Sequence, residues 1–157
     1  MMMLEPEYME VVKRHQQEFP IRVGALAREL GIEVKTTDMP DNVSGSLSRS
    51  SDNPERWVIR VNRRHSKNRQ RFTVAHEIAH FLLHRNQIGR GVTDDTFYRS
   101  NLSDSREREA NRLAADILMP WSLIRRATEE GARSADDLAE AFGVSTAAMH
   151  IRLGLPT

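Results

Sequence analysis

The five residues His76-Glu77-Ile78-Ala79-His80 carry the clearest chemical signal in the sequence. Histidines four positions apart project from one face of a helix, so both imidazoles can reach a single divalent cation. Glu77 is rotated about 100° from His76 around the same helix, which sets its carboxylate beside the metal rather than on it. That is the place of a general base, able to take a proton from water that a metal has acidified. An apolar helix that buries two histidines and a carboxylate must satisfy or neutralise all three, and one cation does so.

Two imidazoles leave a hydrolytic zinc site one protein ligand short, because such sites use three and keep one position open. The sequence has no cysteine, so the third must be a histidine or a carboxylate. The arrangement with a third histidine six residues on, after an intervening glycine, is excluded because Asn86 stands there. His84 lies a further turn along the same straight helix, too far for one ion to reach all three histidines, and is expected beside the ligands at the helix end. The next long helix offers Glu107 and Glu109. Its apolar stripe is Ala110, Leu113, Ala114, Ile117 and Leu118, with Glu107 about 60° from the stripe's centre and Glu109 about 100° away. Glu107 is therefore the expected third ligand and Glu109 is expected on the solvent face. Asn111, one turn after Glu107, is placed to hydrogen-bond a ligand imidazole. Tyr98 falls between the two helices, where its phenol could stabilise an oxyanion; the competing reading is a packed loop tyrosine.

The elements that must hold these residues follow from periodicity. Apolar residues at three- and four-residue steps predict a helix over 70–83, and Ser103 or Ser105 can cap a second one running to Leu118. Helices are also expected over 6–19, 21–30, 120–131, Ala135–Phe142 and Thr146–Leu153. Strands are expected over Ile32–Thr37, 43–48 and Trp57–Asn62, the last richest in β-branched residues and offering a free edge for an extended peptide. The Gly- and polar-rich stretch 86–101 reads as a loop. A small antiparallel sheet with helices is the expected architecture.

Taken together, residues 69–80 and 107–120, with Val43-Ser44-Gly45 and Trp57–Asn62, resemble the ImmA/IrrE-type metallopeptidase family over about Pro20 to Pro120. His76, Glu77 and His80 match its motif residue by residue, and the spacing to Met119-Pro120 puts the family's glutamate ligand on Glu107. The resemblance implies a zincin-like α+β fold with a small antiparallel sheet, an HExxH helix, a Glu-bearing helix and a C-terminal helical hairpin. It further implies a Zn2+-dependent endopeptidase that cuts a partner repressor of the helix-turn-helix type and so relieves repression. The expected organisation is one unit, 1–157, with an N-terminal helix at 1–19, a core at 20–131 and a hairpin at 132–157. Leu113 departs from the Phe of many members, a conservative change.

Composition narrows the function classes. With 157 residues, 39% hydrophobic and 29% charged, the sequence suits one domain with a true core. The net charge is +1, from 23 Lys+Arg against 22 Asp+Glu, so overall charge marks neither a nucleic-acid nor a membrane binder. No basic start with an apolar run marks a secretory signal, no apolar run has membrane-span length, and the cytoplasm is the expected location. The basic run Arg60, Arg63, Arg64, Lys67, Arg69 and Arg71 is either a solvated face or a grip for an acidic substrate segment. The hairpin has helix-turn-helix spacing, but its last helix offers only His150 and Arg152 to a groove, so direct DNA contact is disfavoured against packing or substrate docking. Two rivals to the peptidase stay open: a non-catalytic metal-binding regulator or toxin-like partner of a repressor, and a DNA-binding regulator acting through the hairpin. No motif specifies the substrate, the cut site or the oligomeric state.

Overall fold

The computed structural model describes residues 4–156; Met1 to Met3 of the expected N-terminal segment, and Thr157, lie outside them. In chain order the elements are α1 (Pro6–Arg14), α2 (Val23–Glu29), β1 (Ile32–Thr37), β2 (Val43–Arg49), β3 (Trp57–Asn62), α3 (Lys67–His84), β4 (Gly91–Asp95), α4 (Asp104–Leu118), α5 (Trp121–Glu129), α6 (Ala135–Phe142) and α7 (Thr146–Leu153). This is the α+β architecture expected, with α3 lying between the sheet and α4.

The caps explain where the two central helices start. Ser66 accepts from the Arg69 N–H at the head of α3, and Ser103 accepts from the Arg106 N–H at the head of α4. The stripe Ala110, Leu113, Ala114, Ile117 and Leu118 is wholly buried, as its spacing predicts. α1 is shorter than expected, and beyond it the Gln16 amide donates to the Asp116 and Ile117 carbonyls at 3.0 and 3.1 Å, closing the C-terminal end of α4.

The sheet order is β1-β3-β2-β4. It is mixed rather than wholly antiparallel, because β1 runs parallel to β3 while β2 pairs antiparallel with both β3 and β4. Asn62, fully buried at the end of β3, pins the β1–β2 connection: its amide donates to the Pro40 and Val43 carbonyls at 3.0 and 2.8 Å. Periodicity reveals strands but not their partners, which is why the parallel pair escapes a reading of the sequence. For the same reason β3 is no edge: it is central, and the free edges belong to β1 and β4. β4 lies inside the stretch expected to be a loop, and its pairing with β2 sets Val92 opposite Leu47.

The tail forms the expected hairpin, with Gly143 left-handed at φ 65° between α6 and α7. Arg71 ties it to α3 by donating to the Phe142 and Gly143 carbonyls at 3.2 and 3.1 Å. Arg152 donates to the Met119 carbonyl and pairs with Asp116, both at 2.9 Å. Among the described residues no helix is long and apolar enough to cross a membrane.

Candidate metal centre

Each side of the centre comes from a different element. α3 supplies His76 and His80, one turn apart and fully buried, with their rings edge-to-face at 4.6 Å. The first turn of α4 supplies Glu107, only 3% exposed. β4 supplies Asp94, fully buried and absent from the residues singled out by spacing. One Glu107 oxygen, Oε1, lies 3.1 Å from both His76 Nε2 and His80 Nε2. Asp94 Oδ2 lies 3.5 Å from the same two nitrogens without forming a hydrogen bond to either.

These spacings suit a cation. All four donor atoms fall within 4.8 Å of one another. Tetrahedral ligands at zinc-like bond lengths stand about 3.4 Å apart, close to the 3.1 and 3.5 Å between the two imidazoles and the Glu107 and Asp94 carboxylates. His and carboxylate donors without sulfur fit zinc and the other borderline divalent ions.

Hydrogen bonds aim the donors. His76 Nδ1 donates to Asn111 Oδ1 at 2.9 Å, which turns Nε2 toward the carboxylates, as expected of Asn111. His80 Nδ1 meets His84 Nδ1 at 3.0 Å, and His84 Nε2 reaches Glu109 Oε1 at 3.3 Å. His84 thus stands beside a ligand at the helix end. Glu109, expected on the solvent face, keeps its side chain 45% exposed and from there reaches His84. Ser100 hydroxyl donates to Glu107 Oε2 and leaves Oε1 for the histidines. Ser100 sits in a polar loop and had no spacing signal.

Electrostatics follow from burial and proximity. Burial lowers the proton affinity of His80, but Asp94 and Glu107 beside it outweigh this and raise its pKa to about 9. Burial raises Glu107 and Asp94, yet the neighbouring imidazoles bring both below the ordinary carboxylate range. Glu77 goes the other way: burial, then the Asp94 charge, push it well above that range. Both Glu77 oxygens are buried without a hydrogen-bond partner.

Tyr98, with a left-handed φ of 56°, lays its ring 4.8 Å from that of His76 and shares a 2.9 Å hydrogen bond with the Thr73 hydroxyl. Burial raises its pKa, so the phenol keeps its proton. A cavity of about 740 Å³ opens alongside between α3, α4 and α7, lined by Arg69, Phe72, Tyr98, Asn111, Met119 and Ile151 among others. Of the basic run, Arg69 lines it, and most of the others are engaged elsewhere. Arg63 and Arg64 pair with Asp38 and Asp41, Arg60 donates to Ser48, and Arg71 is spent on the hairpin.

The family model described as the IrrE N-terminal-like domain, peptidase M78, matches residues 27–154. No curated protein matches the sequence significantly. Among solved structures, a Mycobacterium tuberculosis transcriptional regulator superposes with a TM-score of 0.62 at 20% identity, covering 97% of this chain and 48% of that one. The chain therefore spans about half the length of that regulator, and at this identity the likeness is one of fold. With more than half of its residues matched by the family model, the chain belongs to the IrrE N-terminal-like family of M78 peptidases.

Proposed function

We propose that the protein is a zinc-dependent endopeptidase that cuts a helix-turn-helix transcriptional repressor and so relieves repression. The observation that carries the reading is the convergence of His76, His80 and Glu107 on one buried point with the Glu77 carboxylate beside them. In this reading His76, His80 and Glu107 hold the metal, and Asn111 and His84 fix the two rings. When bound, zinc polarises a peptide carbonyl and acidifies water.

Glu77 accepts the proton of the attacking water and returns it to the leaving amine, and its raised proton affinity suits it to hold a proton between the two steps. Tyr98 donates its phenolic hydrogen toward the oxyanion after exchanging its bond to Thr73. The substrate backbone pairs with the free edge of β4, the strand nearest the centre, in place of the central β3. The repressor as substrate is what the family membership supports, and the regulator of similar fold is in keeping with a role in transcription. The DNA-binding rival is weakened because Arg152 is committed to Met119 and Asp116.

Incubating the zinc-loaded protein with helix-turn-helix repressors from its own genome, any neighbouring one first, tests the reading. The expected outcome is a discrete cut that Glu77→Gln abolishes while zinc stays bound. Failure to cut any of them, or equal cutting by Glu77→Gln, would overturn it.

A further inference from the structure

Asp94 belongs to neither histidine motif nor glutamate helix, yet it completes the cluster. It is fully buried, and neither of its oxygens has a hydrogen-bond partner. Without a metal the neighbouring imidazoles offset the charge of this carboxylate, and once those rings turn their lone pairs to a cation the cation must do so, or the buried charge costs several kcal/mol by order of magnitude. Its Oδ2 stands at the same 3.5 Å from both histidine nitrogens, the spacing of one more tetrahedral donor. Hydrolytic zinc sites have three protein ligands and an open position, whereas closed sites have four.

We infer that Asp94 is a fourth protein ligand that fills the position otherwise left for water, so that the folded resting state is a closed, latent centre. This rests on the reading of His76, His80 and Glu107 as metal ligands. Two observations support it independently. Glu77, whose partner in catalysis is water, is fully buried with neither oxygen hydrogen-bonded, and Asp94 is the carboxylate that acts on it most strongly. Asp94 also rides on an edge strand, held by β2 alone, and pairs with Gly45 at the irregular register between Val43 and Gly45. Withdrawing it disturbs one ladder rather than two. A peptide adding to the outer edge of β4 acts on the strand that carries the blocking carboxylate, so substrate engagement and opening share one element.

Cobalt in place of zinc gives a visible spectrum that reports the coordination, and acetohydroxamate probes for an open position. In the wild-type chain hydroxamate should leave the cobalt bands unchanged. In Asp94→Ala, cobalt should bind at least tenfold more weakly, and hydroxamate should now shift the bands; Asp94→Asn should behave in the same direction with the shape conserved. Hydroxamate shifting the wild-type bands as strongly as those of Asp94→Ala overturns the inference while leaving the metal centre standing. So does unchanged cobalt affinity in Asp94→Ala. If that variant does not fold, by circular dichroism, the wild-type titration decides alone. A wild-type chain that takes up no more cobalt than His76→Ala removes the metal centre and, with it, this inference.

Discussion

His84 presents its Nδ1 3.0 Å from the Nδ1 of His80, on the side of that ring turned away from the carboxylates. Since Glu109 accepts from His84 Nε2, the proton on His80 Nδ1 is directed outward and the Nε2 lone pair inward. His84→Ala should therefore weaken metal binding by about 10 to 100-fold, and Glu109→Gln by less, since the amide can still accept. Competition with a chromophoric chelator measures both. Wild-type affinity in His84→Ala would mean that its contact with His80 does nothing for the metal.

Glu107 and Asn111 stand one turn apart on α4 but touch different things: Glu107 Oε1 meets both Nε2 atoms, while Asn111 holds only the far side of His76. Glu107→Gln should accordingly cost more metal affinity than Asn111→Ala, with the latter in the range of about 10 to 100-fold. Equilibrium dialysis against zinc ranks the two. The reverse order would remove Glu107 from the ligand set.

The raised proton affinity of His80 sets a pH dependence. Its pKa lies near 6.5 unfolded and about 9 folded, so the stabilisation is complete below 6.5 and is lost as pH rises through 9. Chelator-treated protein should lose on the order of 3 kcal/mol across that interval from this group. Urea denaturation at several pH values in EDTA reads it out, and a flat profile contradicts the assignment. Zinc added at neutral pH should release the proton, as calorimetry in buffers of different ionisation enthalpy would detect.

Gly45 lets β2 approach α3 closely, since a Cβ there would meet the Arg60 carbonyl oxygen and Thr73 Cγ2, each at 2.6 Å. Gly45 also faces Asp94 across the β2–β4 ladder. Gly45→Ala should destabilise the fold by about 1 to 3 kcal/mol and loosen the metal site by moving β4 from the histidines. Thermal melting with and without zinc separates the two effects, and an unchanged melting temperature would show that the sheet yields without cost.

Local spacing was enough to expect α3 and α4, because a helix repeats its faces every few residues and a buried stripe shows itself over a single turn or two. His76, Glu77, His80, Glu107 and Asn111 were legible on that basis, and the structure brings all five to one place. What tertiary structure decided is what depends on pairing between distant segments. β4 is short and carries two aspartates of low strand propensity, so only its alignment with β2 makes it a strand. That alignment buries Asp94 on the same face as Val92, an alternation visible in the sequence but silent without a partner. The parallel pairing of β1 with β3, the placing of β4 rather than β3 at an edge and the reach of Glu109 to His84 have the same origin. A wheel ranks directions around one helix, whereas which neighbour stands in each direction is settled only when the helices and sheet pack.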